Sequence, residues 1–202
     1  MRIGIDFDNT IVSYDKLFHK VALEKSLIPI DLPKNKVAIR DYLRKIQKED
    51  QWTLMQGEVY GPKLKEAIPY PGLCEFLNKA SAIGHELFII SHKTKFPFMG
   101  PSYDLHDSAK TWVMSTLLAP DGSPYFQLNN VFYEPTKEEK IAQISQLNCD
   151  VFIDDLPEIL CMEGFSKNTK RILFDPENSH SDKNILYARI SSWAEISKSL
   201  LA

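Results

Sequence analysis

The hydrophobic pattern of the chain switches repeatedly between a period of two and a period near 3.6. Ile3, Ile5 and Phe7 alternate through residues 2–7 and predict a first strand. Leu17, Phe18, Val21 and Ala22 then follow helical spacing from Tyr14 to about Lys25, and the prolines of "IPIDLPKN" stop that helix. Ile39, Leu43 and Ile46 carry a second helix over 37–49. "DQWTLMQGEVYGPKLKEAI" reads as short helix or loop, with Gly57 and Gly61 suggesting a shaped turn. "PYPG" at 69–72 ends the region, because proline restricts both itself and the residue before it. Beyond it the alternation is regular. A helix over 73–83 is followed by Gly84 at a left-handed C-cap position, and "HELFIIS" (85–91) is a buried strand. A helix at about 105–118 and the turn "APDGSP" lead to the strand "NVFY" (130–133). Thr136 with Glu139 forms a capping-box signature for the next helix, and Ser192 with Glu195 forms another for the closing one. Between those helices lie the strands "DVFID" (150–154) and "RILFD" (171–175).

Five strands joined by helices predict an α/β fold with a five-stranded parallel sheet covered on both faces. Ligands of such sheets bind beyond the carboxyl ends of the strands, at the point where the strand order reverses. The residues ending the strands are Asp6, Ser91, Tyr133, Asp154 with Asp155, and Asp175. Two pairs of acids therefore share one sheet edge: Asp6 with Asp8 in "IGIDFD", and Asp154 with Asp155 in "VFIDD". Carboxylates crowded and partly buried in this way cost several kcal/mol each without compensation. A hard divalent cation compensates them, and an all-oxygen donor set suits Mg²⁺, which takes one or two carboxylates and keeps its remaining positions for water and phosphate.

Composition narrows the class further. With 202 residues, 44% hydrophobic, 25% charged and 11% aromatic, the chain reads as one folded domain, or one with a modest insertion. A formal charge of −3 supplies no basic face for nucleic acid. No apolar run approaches the roughly 20 residues of a membrane span, and the opening residues read as a strand carrying an acid rather than as a secretory leader. Cys74, Cys149 and Cys161 are odd in number and form no CxxC, which fits free thiols in a reducing cytoplasm.

"DFDNTI" resembles the first motif of the haloacid dehalogenase (HAD) superfamily, an apolar strand running into DxDx[TV]. "FIIS" resembles the second motif, a strand ending in Ser or Thr. "KEEKIAQISQLNCDVFIDD" resembles the third and fourth, a helix-borne lysine followed by a strand ending in paired acids. The resemblance implies a Rossmann-like HAD core over 1–13 and 69–202. It also implies a small helical cap of the type-one kind inserted after strand one, over 14–68. It makes Asp6 the nucleophile, forming an aspartyl-phosphate, and Asp8 the general acid and then base. Thr10 would orient the first loop, and Ser91 would hold phosphoryl oxygens. A lysine, Lys140 or Lys137, would neutralise charge at the nucleophile. Lys140 is favoured because its fourteen-residue spacing to Asp154 is closer to that of nucleotidase-like branches. The metal would take Asp6, the backbone carbonyl of Asp8, Asp155 and, directly or through water, Asp154.

Asp8 favours phosphoryl transfer over dehalogenation, since dehalogenases of this fold lack the second Asp. The expected activity is therefore a Mg²⁺-dependent phosphatase acting on a small phosphorylated metabolite, a nucleotide or a sugar phosphate. A phosphosugar mutase or other phosphotransferase, and an inactive binding protein of the same fold, are the alternatives. His92 and Lys93 follow the phosphate-binding serine directly and could reach a leaving group. In the cap segment, Lys36, Arg40, Arg44 and Lys48 recur every four residues, as a solvated helix face or as a reader of a second anionic group. Trp52, Met55 and Tyr60 suit packing more than stacking on substrate.

Overall fold

The computed structural model describes residues 1–180 and 184–201. In chain order it begins with β1 (Arg2–Ile5), the two-residue β2 (Val12–Ser13) and the helices α1 (Asp15–Glu24), α2 (Lys36–Lys45) and α3 (Glu49–Tyr60). A short β3 (Ile68–Pro69), paired with β2, leads to α4 (Leu73–Ala82), β4 (Glu86–His92) and α5 (Leu105–Thr116). Next come β5 (Val131–Glu134), α6 (Lys137–Gln146), β6 (Val151–Asp154) and the single turn α7 (Pro157–Leu160). Then follow β7 (Lys170–Phe174), β8 (Ala188–Ile190) and α8 (Trp193–Leu201).

Among the described residues, six strands form one parallel sheet in the order β5-β4-β1-β6-β7-β8. The sequence pattern predicts five; the sixth is β8. Only three residues long, with Arg189 at its centre and two exposed positions, β8 has no apolar run to announce it. A short, charged strand of this kind suits a sheet edge, where it discourages pairing with other chains.

β1 sits inside the sheet, with Ile3 opposite Leu87 on one side and Val151 on the other. Ile3 and Ile5 are fully buried. Gly4 breaks the apolar run between them for a steric reason. A Cβ at this position would lie 2.8 Å from the Phe152 ring, 3.1 Å from Cys149 Sγ and 3.2 Å from Ile90. Those three side chains belong to the core cluster that also holds Ile141, Ile144 and Leu173.

The predicted helix ends have their expected chemistry. Thr136 accepts a hydrogen bond from the Glu139 N–H at 3.1 Å, and its hydroxyl donates back to the Glu139 carboxylate at 2.9 Å. Ser192 accepts from the Glu195 N–H at 3.2 Å. Gly84 adopts φ 79°, the left-handed conformation of a C-terminal cap.

The chain divides into two compact units. The first comprises Met1–Val12, Pro69–Lys93 and the chain from Val113 onward, and it contains the six-stranded sheet. The second comprises Ser13–Ile68 together with Thr94–Trp112. The helical segment expected over 14–68 thus gains a second piece, the loop after β4. Two glycines of α3 and its C-cap make room for that loop. A Cβ on Gly57 would meet Pro97 at 3.0 Å, and one on Gly61 would meet Tyr103 at 3.0 Å.

Within this second unit Trp52 stacks on Phe18 at 4.9 Å, Tyr60 meets Phe18 edge-on, and Met55 is fully buried. These large side chains make a core. Of the basic stripe, Arg40 pairs with Asp41 and Arg44 with Glu49, while Lys36 lies over the rings of Tyr14, Phe18 and Tyr60.

Because Gly4 is surrounded, Gly4→Ala forces Phe152 aside and is expected to lower stability by about 1–3 kcal/mol, the usual cost of overpacking. The measurement is the urea midpoint, which should fall with the slope unchanged.

Candidate active site

The sheet order places β4 and β6 on opposite sides of β1, so the strand order reverses at the carboxyl end of β1. In open parallel sheets that crevice is where ligands bind. Three strand ends deliver side chains to it. Asp6 follows β1 directly, and its N–H donates to the Ile153 carbonyl at 2.9 Å, extending the β1–β6 ladder by one residue. Ser91 and His92 end β4, and Asp154 ends β6 with Asp155 beyond it.

The loop after Asp6 turns tightly. The N–H groups of Ile11 and Val12 both donate to the Phe7 carbonyl at 3.1 Å, and the Asn9 N–H donates to Val12 at 3.1 Å. Asn9 has φ 58°, a left-handed conformation that Asn tolerates better than most residues. Its side-chain amide donates to Asp155 Oδ2 at 3.3 Å, tying the first loop to the end of β6. Thr10 is fully buried, and its carbonyl accepts from the Trp193 indole at 3.2 Å. That contact anchors the loop from below.

Lys140 comes from α6. With Thr136 fixing the start of that helix, Lys140 falls on the buried face shared with Ile141 and Ile144. Its Nζ lies 2.6 Å from Asp6 Oδ1 and 2.6 Å from Asp154 Oδ2, and the residue is 1% exposed. Asp154 turns its other oxygen to the Leu156 N–H at 2.9 Å. Lys137 stands at the first position of the same helix and instead pairs with Glu158 at 2.6 Å on the surface. Of the two candidate lysines, the structure brings only Lys140 to the acids.

Burial would strip Lys140 of its proton, but the carboxylates of Asp154 and Asp6 outweigh it and hold the ammonium charged, above its ordinary range. Burial pushes Asp6 up to about 7; Lys140 opposes this, while the negative charges of Asp154 and Asp8 add to it. Asp8 is held separately. Lys93 Nζ donates to both of its carboxylate oxygens, at 3.0 Å and 2.8 Å.

Asp6, Asp8, Asn9, Ser91, His92, Lys140 and Asp155 line a cavity of about 70 Å3. That is room for several small groups, given that one water needs about 10–15 Å3. Ser91 is buried, and its hydroxyl has no hydrogen-bond partner in the described structure. A buried hydroxyl left unpaired at a cavity wall costs about 1–3 kcal/mol, which an incoming oxygen would recover. The Thr10 hydroxyl is likewise buried and unpaired. His92, also part of the lining, has its Nε2 3.1 Å from the Pro135 carbonyl. Asp175, also at a strand end, closes its own loop by accepting from the N–H groups of Ser179 and His180.

The donor set fits a hard divalent cation. Asp6, Asp154 and Asp155 each offer an oxygen, all within 4.8 Å of one another. Counting Asp8 as well, four carboxyl groups face two ammonium groups, Lys140 and Lys93, so the acids outnumber the cations by two. Oxygen ligands alone, with no sulfur or imidazole among them, favour Mg²⁺ over softer metals.

No family model matches the chain. It is 25% identical over 201 residues to an Oceanobacillus iheyensis protein named "putative nucleotidase", covering 96% of this chain and 95% of that one. A Bacillus cereus protein of the same name is 22% identical, with 97% and 96% covered. Among solved structures, a HAD-family hydrolase from Deinococcus radiodurans with bound phosphate and sodium superposes at a TM-score of 0.58 and 14% identity. That superposition covers 98% of this chain and 94% of the other. The chain has the haloacid dehalogenase fold. The HAD resemblance drawn from four short motifs and the likeness of the whole backbone agree.

Sequence reasoning about this site passes over Asn9 and names Tyr133 only as a strand end. Asn9 lies inside "DFDNT", and its tolerance of positive φ was the available signal. Tyr133 stands in register with Ser91 on the neighbouring strand, and its phenol is held neutral, well above its usual range, by burial and by the charges of Asp8 and Asp6.

Two outcomes follow from the electrostatics. Lys140→Met leaves Asp6 and Asp154 buried and unpaired, and is expected to cost about 3–5 kcal/mol, whereas Lys137→Ala removes a surface pair and should change stability by less than about 1 kcal/mol. Denaturant melts of both variants check this. Metal and pH are also coupled. Between the unfolded value of 3.8 and the folded value of about 7, the native Asp6 keeps a proton that the unfolded chain has lost. Stability of the metal-free protein should therefore fall as pH rises through that window. A cation that displaces the proton should stabilise more at the upper end than at the lower, as thermal melts with Mg²⁺ and with chelator would read.

Proposed function

We propose that this protein is a Mg²⁺-dependent phosphomonoester hydrolase that forms a phosphoryl intermediate on Asp6. The observation that carries the reading is the pairing of a buried carboxylate, held through one oxygen by Lys140, with an unpaired buried hydroxyl on Ser91 in the same cavity wall. The HAD hydrolase fold and the relatives named as nucleotidases support it. They also favour a nucleoside monophosphate over a sugar phosphate as the substrate.

Lys140 occupies Oδ1 of Asp6, which leaves Oδ2 to attack phosphorus. As the new P–O bond forms, the P–O bond to the ester oxygen breaks, and that oxygen takes a proton from Asp8. In the second step water attacks the aspartyl-phosphate, its proton passes to Asp8, and the Asp6–phosphorus bond breaks. Asp8 ends each cycle as it began. Ser91 donates its hydroxyl to a phosphoryl oxygen, and Lys140 offsets the charge gathering there, the main catalytic contribution in phosphoryl transfer. The residues that would hold the cation are Asp6, Asp154, Asp155 and the carbonyl of Asp8; when bound it supplies charge neutralisation and alignment of the phosphoryl group. Thr10 keeps the first loop in place.

The test is phosphate release from a panel of nucleoside monophosphates and sugar phosphates, with Mg²⁺ and with chelator. Asp6→Asn is expected to abolish turnover, by on the order of 10⁴-fold or more as for other covalent nucleophiles, while the melting curve shows an intact fold. Metal-dependent hydrolysis persisting in that variant would refute the assignment. Release of isomerised sugar phosphate in place of free phosphate would point to a mutase.

A further inference from the structure

Lys93 takes no part in the reaction written above, yet it is buried in the same sheet edge. Its side chain is 4% exposed, and its ammonium group lies 5.5 Å from the centroid of the Phe7 ring. The backbone is pinned as well. The Lys93 N–H donates to the Glu134 carbonyl at 2.9 Å, which carries the β4–β5 ladder one residue past the end of β4. Tyr133 packs edge-on against Phe7 at 5.8 Å, so the aromatic wall is itself fixed. Burying an ammonium group costs several kcal/mol, more than a stability role at a strand end requires.

What the ammonium holds is specific. It donates to both oxygens of Asp8, and a two-point contact fixes the plane of a carboxyl group as well as its position. Asp8 is 24% exposed at its side chain, so the two-point contact fixes a carboxyl group that borders solvent. A proton donor must sit within a few tenths of an ångström of its working place to be effective. We infer that Lys93 is a positioning residue that orients Asp8 toward the ester oxygen, and that it does not bind the phosphoryl group. The inference rests on the phosphatase reading.

It has a chemical signature. Asp8 matters most when the departing oxygen cannot leave as an anion. An alkyl phosphate needs the proton; p-nitrophenyl phosphate, whose phenolate is stable near neutral pH, needs it little. A residue that binds phosphate, or that merely supports the fold, would affect both alike.

The experiment is first-turnover release of the leaving group, by rapid quench at saturating substrate, from glycerol phosphate and from p-nitrophenyl phosphate. In Lys93→Met the glycerol rate is expected to fall by about 10²-fold or more, the usual contribution of a positioned acid, and the nitrophenyl rate by less than about tenfold. Lys93→Arg, which keeps a two-pronged cation, should recover most of the glycerol rate. Should Lys93→Met fail to fold, Lys93→Gln gives the same comparison. Equal losses on the two substrates, or a loss seen only in KM, would overturn the inference. Absence of release from these two substrates and from the nucleoside monophosphates alike in the wild-type protein would overturn the phosphatase reading and this inference with it.

Discussion

A single ammonium group buried between two carboxylates organises the carboxyl edge of the sheet. Lys140 reaches from α6 to Asp6 at the end of β1 and to Asp154 at the end of β6, 2.6 Å from each. The two acids belong to neighbouring strands and lie nearly 150 positions apart in the chain. Neither could be buried alone, because an uncompensated buried charge costs several kcal/mol. The lysine could not be buried alone either. The triad is thus mutually dependent, and one positive charge does not balance it. Burial together with the neighbouring Asp154 and Asp8 charges lifts Asp6 to about 7. The site leaves a buried acid, Asp6, short of positive charge, and a divalent cation is the compact remedy.

The fold provides for this triad by keeping β1 interior. A strand flanked by β4 and β6 has both faces and both edges covered, so whatever follows it emerges between two other strand ends. Gly4 is part of the same economy of space. Its missing side chain lets Phe152, Cys149 and Ile90 close over β1, and those residues lie on β6, just before β6 and on β4, the strands that deliver Asp154 and Ser91. Packing beneath the sheet edge and chemistry at the edge therefore share the same three strands. The positive φ of Asn9 and the anchoring of Thr10 by Trp193 extend that rigidity into the loop that carries Asp8.

Much of this was legible in the sequence, for physical reasons. Apolar strands that run into acids are rare enough to announce Asp6, Asp8, Asp154 and Asp155. The capping boxes at Thr136 and Ser192 marked helix starts because their side chains satisfy N–H groups that a helix leaves unpaired. The choice between Lys137 and Lys140 was also within reach of periodicity. Ile144 lies four residues after Lys140, on its face of α6, whereas Lys137 opens the helix beside solvent. Other features left no local trace. The strand Ala188–Ile190 is held by its neighbour β7 rather than by its own hydrophobicity. The grouping of Thr94–Trp112 with the helical unit depends on two glycines some forty residues earlier, and contacts that distant have no sequence period.

Asp6 and Asp8, two residues apart, end up in different environments, and the difference suits the separate roles proposed for them. Asp6 is almost fully buried and is held through one oxygen by a lysine it shares with Asp154, so its second oxygen stays available. Asp8 is partly exposed and has both oxygens on a lysine of its own. A nucleophile needs an uncommitted oxygen and a charge that can be handed to phosphorus. An acid and base needs a fixed direction and a path to water. Asp6 directly follows β1 and Asp8 lies in the tight loop beyond it, and both line the same cavity. The lysines then separate them, Lys140 from a helix and Lys93 from the neighbouring strand end. The separation of environments, and of the roles proposed for them, therefore arises from tertiary structure acting on a motif that is, by itself, nearly symmetric.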